Sequence, residues 1–196
     1  LAAGWLLAQS ALAAGTPLTN IHVRDPFILP VRQSGNYYLV SSSASSVIVR
    51  QSADLGSWSE PRTVFAIPEK YWGGAHIWAP EIHGYRGRYY LFATFMNDQP
   101  VGEQWTNWPP RIHRGTQVLV ADSPLGAFTP FANRSHTPTN EMALDGTLWV
   151  ENGVAYLVYC HEWVQVRDGG VKVIRLTEDL SAAIGEPQLL FKGSEA

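Results

Sequence analysis

The chain has 196 residues and a formal net charge of -3, from 14 Lys and Arg against 17 Asp and Glu, enough for one domain with its own core. No basic or acidic block breaks that balance, which excludes a nucleic-acid backbone or an anionic membrane as the expected partner. One cysteine, Cys160, excludes an intrachain disulfide, while eight Trp, eight Tyr and seven Phe supply rings for a core or for stacking on sugars.

In chain order, residues 1–14 (LAAGWLLAQSALAA) come first. The run is too short and too rich in alanine to span a bilayer. It ends on the small-x-small triplet Ala11-Leu12-Ala13 and reads as the remainder of a signal peptide, which makes a secreted or periplasmic protein the expectation. Residues 15–196 read as one domain.

From there the chain alternates short runs of Tyr, Val, Leu and Phe with Gly, Pro, Asn, Asp and Ser, the pattern of an all-β protein. The runs recur. GNYYLV (35–40), GRYYLF (87–92) and GVAYLV (153–158) share a Gly turn, a Tyr and an apolar pair. Each leads into a further strand: VIVRQSADL (47–55), QVLVADSPL (117–125) and KVIRLTEDL (172–180). A fourth strand follows in RTVFAI (62–67), weakly in FTPFA (128–132), and in PQLLF (187–191). Ahead of each set lies a first strand carrying an acid: RDPFIL at Asp25, WAPEIHG at Glu81 and ALDGTLWV at Asp145. The acids are 56 and 64 residues apart, and 50 more lead to Glu195.

Four strands per repeat at this period predict a β-propeller. Its first strands line the central channel, so acids at their starts converge near one mouth. Three blades do not close a propeller, which takes about four to eight, so the sequence is expected to be part of a longer chain. Clustered carboxylates suit glycosidic hydrolysis: one protonated to donate to the leaving oxygen, one ionised to activate water or attack the anomeric carbon. A third nearby holds the acid's pKa up by like-charge repulsion.

HVRDPFIL, WAPEIHGYRGRYYLF, ALDGTLWVENGVAYLVYCHEW and LLFKGSEA, in that order, resemble glycoside hydrolase family 43 over residues ~20 to 196. The resemblance implies a five-bladed β-propeller, of which about three blades are present. It implies an inverting arabinofuranosidase, xylosidase or arabinanase acting on arabinan, arabinoxylan or derived oligosaccharides. It matches Asp25 to the general base, Asp145 to the acid that modulates pKa, and Glu195 to the general acid. No cofactor is required for the chemistry. The family often holds a structural calcium on the channel axis, whose main protein ligand belongs to a fifth blade. The six histidines (22, 76, 83, 113, 136 and 161) show no metal-ligand spacing.

Phe27, Trp78, Glu81 and Glu162 are the expected substrate-binding residues, with Trp72 a further candidate for the sugar subsite. Glu162 is also weighed as a rival general acid. The segment 96–115, rich in Trp and Pro, reads as an insertion in the second blade that either shapes a subsite or packs down on the surface. A retaining fructan or sucrose hydrolase and a non-catalytic sugar-binding propeller are the competing readings.

Overall fold

The computed structural model describes residues 15–196 except Ala75 and Trp163, so the expected signal peptide lies outside the described residues. Three four-stranded antiparallel sheets follow one another along the chain. The first holds β2 (Phe27–Val31), β3 (Asn36–Ser43), β4 (Ser46–Ser52) and β6 (Arg62–Ala66). The second holds β7 (Ile77–Tyr85), β8 (Arg88–Pro100), β9 (Ile112–Ala121) and the two-residue β10 (Thr129–Pro130). The third holds β11 (Ala143–Glu151), β12 (Val154–His161), β13 (Gly170–Leu176) and β14 (Ala183–Lys192). Within each sheet the strands pair in sequence order, as a propeller blade requires, and these are blades I, II and III. A small ribbon pairs β1 (Thr16–Pro17) with β5 (Ser57–Trp58), which the sequence did not announce.

The hairpin from first to second strand turns on paired left-handed residues in two blades. Arg86-Gly87 has φ of 47° and 78°, and Asn152-Gly153 has φ of 51° and 77°. Two successive positive φ values match the right-handed twist of the flanking strands, and the glycine removes the Cβ clash at the second.

Side-chain alternation then builds two cores. In YYLFA of β8, Leu91 and Ala93 enter a cluster with Val40, Val49 and Ile82. Their neighbours Tyr90 and Phe92 enter another with Ala155, Leu157 and Tyr159. Blade II is therefore covered on both faces, which explains its near-continuous apolar run. In β12 alternate residues Ala155, Leu157 and Tyr159 are buried, while Tyr156, Val158 and Cys160 are only partly covered. Trp149, Val150, Ile184, Leu189, Leu190 and Phe191 of the same blade are exposed.

The first strands depart from expectation in one respect. Glu81 does not open β7; it is the fifth residue of a strand that begins at Ile77. The break at the head of the strand falls two residues earlier, at Ala79-Pro80, where the register with β8 shifts between Trp78 and Glu81. Blade III has the same irregularity at Asp145-Gly146, between Leu144 and Thr147. The backbone identifies the equivalent positions: Asp25, Ala79 and Asp145 have φ of 49°, 41° and 53°. The excursion in blade II is also shorter than expected, because β8 runs on to Pro100 and β9 starts at Ile112.

Candidate active site

The three left-handed positions converge. Asp25, Ala79 and Asp145 line one cavity of about 380 Å³, together with Trp78, Arg114 and Glu162. A left-handed non-glycine residue costs roughly 1–2 kcal/mol. Three at matching places mark a backbone held by its surroundings, as is common at functional sites. Each kink stands within or just before a first strand, and all three residues line the cavity.

Asp145 is the best anchored. Its backbone N–H donates to Thr94 Oγ1 at 2.9 Å, and Thr94 is fully buried in β8. Gly146 lies so close to β9 that a Cβ there would stand 2.4–2.7 Å from the Thr116 side chain. The Asp145 side chain reaches solvent through the cavity, yet surrounding protein crowds its carboxyl. Desolvation first, then the like charges of Asp25 and Glu81, raise its pKa above the usual Asp value, with Arg24 opposing. Asp25 pairs with Arg24 at 3.3 Å on the open side.

Glu162 follows β12, and its N–H donates to Met142 O at 2.9 Å. Its carboxylate accepts a hydrogen bond from Arg114 Nη1. Desolvation pushes its pKa up, Arg114 pulls it down through charge and hydrogen bond, and Asp145 adds to the rise. The Arg114 guanidinium also lies 4.9 Å from the centroid of the Trp78 ring.

Four of the residues expected from the sequence thus meet in the cavity: Asp25, Asp145, Trp78 and Glu162. Glu81 lies outside its lining. Glu81 Oε2 accepts from Thr147 Oγ1 at 2.6 Å and pairs with His83 Nε2 at 2.8 Å, which ties blade II to blade III. Phe27 packs on the His83 ring at 5.2 Å and against the core between blades I and II. Trp72 joins that core too, its indole N–H bonded to Gln117. Glu195 ends a 3-10 turn, Gly193–Glu195, with its Oε2 accepting from Lys192 N at 2.8 Å; it does not line the cavity. Arg114 and Ala79 do, and the sequence reading missed both. A lone Arg at the head of a third strand carries no local signal, and Ala79 was hidden beside the more conspicuous Glu81. Among the described residues, no three His, Cys, Asp or Glu side chains are placed to share a metal ion.

A family model, Glycosyl hydrolases family 43, matches residues 14–196. An endo-arabinase structure from Bacteroides thetaiotaomicron superposes with a TM-score of 0.83 at 38% identity, covering 94% of this chain and 61% of that one. The extracellular exo-alpha-(1->5)-L-arabinofuranosidase of Streptomyces avermitilis is 29% identical over 141 residues, 69% of this chain and 27% of that protein. Alpha-L-arabinofuranosidase B of Pyricularia oryzae is 26% identical over 150 residues, 74% of this chain and 29% of that protein. The chain thus spans under a third of the length of these two relatives.

Proposed function

The chain belongs to glycosyl hydrolases family 43, and on that premise we propose that its protein hydrolyses O-glycosidic bonds of arabinose-containing polysaccharides or their oligosaccharides with inversion. The observation that carries the reading is the meeting of Asp25 and Asp145, from equivalent kinks in two blades, in one cavity. The arabinan-directed names of the relatives favour arabinosides over xylosides. The extracellular relative favours secretion or a periplasmic place.

In the proposed reaction Asp25 accepts a proton from water, whose oxygen attacks the anomeric carbon. The carbon–oxygen bond to the leaving sugar breaks, and its oxygen takes a proton from Glu195. Asp145, which lines the cavity with Asp25, has the proposed role of modulating the acid's pKa. Inversion asks for about 6.5–9.5 Å between base and acid carboxyls, enough to seat the water. To serve, Glu195 has to reach the cavity, whose lining it does not join here. Glu162 is the weaker candidate for the acid because it follows the second strand of its blade and does not open an inner strand, although desolvation leaves its pKa raised above the usual Glu value.

The test is turnover of linear arabinan and p-nitrophenyl α-L-arabinofuranoside by the complete gene product, with the xyloside alongside. Asp25→Asn is expected to lower kcat by about 10²–10⁴-fold, the usual weight of a general base. Glu195→Gln should lose polysaccharide hydrolysis while sparing the aryl glycoside, whose leaving group needs little protonation. Retained configuration in the first product, or wild-type turnover by Glu195→Gln with loss in Glu162→Gln, would sink the assignment.

A further inference from the structure

Arg114 sits where three features of the cavity meet. It extends from the head of β9 in blade II and contacts a carboxylate, Glu162, that follows β12 of blade III. The same guanidinium lies 4.9 Å from the centroid of the Trp78 ring, which belongs to β7. Both side chains of the ion pair are largely covered, at 19% and 11% exposure, so solvent does not dissolve the contact as it would on an open surface.

Stability alone accounts poorly for this arrangement. Arg114 Nε is buried and meets no acceptor among the described residues, and an unmet buried donor is unfavourable. Glu162 is bonded only through Oε2, so Oε1 accepts no hydrogen bond from a described residue. A carboxylate pinned at one oxygen, with the other unused beside a cavity and a flat indole at hand, has the layout of a sugar subsite. The carboxylate accepts from ring hydroxyls and the aromatic ring supplies a wall.

Building on the proposed glycosidase reading, we propose that Arg114 is a positioning residue for the sugar subsite: it holds the Glu162 carboxylate and the Trp78 ring in the attitudes that receive a pentose. It acts through those two groups and not on the reacting atoms. Planarity matters, because a guanidinium can stack on an indole and point an N–H at a carboxylate at once, whereas an ammonium cannot do both.

The experiment compares Arg114→Met, Arg114→Lys, Glu162→Gln and the double variant Arg114→Met/Glu162→Gln on arabino-oligosaccharides across pH. In Arg114→Met, KM is expected to rise about 10- to 100-fold, the weight of a charged hydrogen bond, with a smaller change in kcat. Losing the cation lets Glu162 take a proton more readily, so the acid limb of kcat/KM moves to higher pH. Arg114→Lys should restore that limb and only part of KM. In the Glu162→Gln background Arg114→Met should cost less than it does alone, the remainder being its hold on the Trp78 ring. The proposal fails if Arg114→Met melts earlier but keeps KM and the acid limb, or if its penalty multiplies in full with that of Glu162→Gln. Should the wild-type protein hydrolyse no arabinoside, the glycosidase reading fails by itself, and calorimetric binding of arabino-oligosaccharides decides this one. A tenfold weaker affinity in Arg114→Met supports it; equal affinities, or none in either protein, overturn it.

Discussion

Asp145 carries a charge that its surroundings disfavour. Desolvation and two neighbouring carboxylates raise its pKa in the folded protein, so the folded state binds its proton more tightly than the unfolded chain does. Stability from this group is therefore present at low pH and is lost as pH rises through the folded value. Asp145→Asn removes the charge and keeps the shape. It is expected to melt above wild type at pH 7–8, by a margin that vanishes towards pH 4, while catalysis falls sharply. Thermal melts at several pH values decide this; a variant less stable than wild type at neutral pH contradicts it. Desolvation raises Glu162 in the same direction, but its carboxylate also accepts from the largely covered Arg114, so Glu162→Gln trades a relieved charge against a weakened ion pair.

At the scale of the element, the kinked heads of the first strands matter most. Two of the three were legible, because Asp25-Pro26 and Asp145-Gly146 are turn dipeptides placed before apolar runs. The middle one was set two residues late, at Glu81 instead of Ala79. Strand side chains alternate with period two, so a two-residue slip leaves every side chain on its expected face. Only the left-handed φ of Ala79 and the register shift beside it identify the kink. The blade III kink depends on Gly146, which has no room for a Cβ against Thr116. Gly146→Ala should cost about 1–3 kcal/mol, as overpacking typically does, and lower activity by displacing Asp145. Thr116→Ala in the same protein should recover much of both. Denaturant melts and arabinoside turnover test the pair, and a Gly146→Ala protein with wild-type stability would refute the close-packing argument.

Across the whole molecule, blade II is buried on both faces, while blade III is apolar on both and covered on one. The half-exposed Leu189, Leu190 and Phe191 would each gain about 1 kcal/mol from full burial, roughly half the value for a fully exposed side chain. A protein of this sequence alone is therefore expected to bind an apolar dye and to associate at micromolar concentration. Leu190→Lys should reduce both, as read by dye fluorescence and light scattering; a strictly monomeric, dye-silent protein would contradict the exposed face. The all-β class and the four-strand repeat were legible in the residues, because alternation and turn residues are local and recur at each blade, and so were Asp25, Asp145 and Glu162 as candidate carboxylates. Folding added Ala79 and Arg114 to the cavity and left Glu81 and Phe27 outside its lining. Arg114 meets Trp78 and Glu162 only when three strands from two blades are brought together, and no local pattern encodes that meeting. It also decided that Glu81 ties blade to blade through Thr147, since a carboxylate's partner depends on what the neighbouring blade presents.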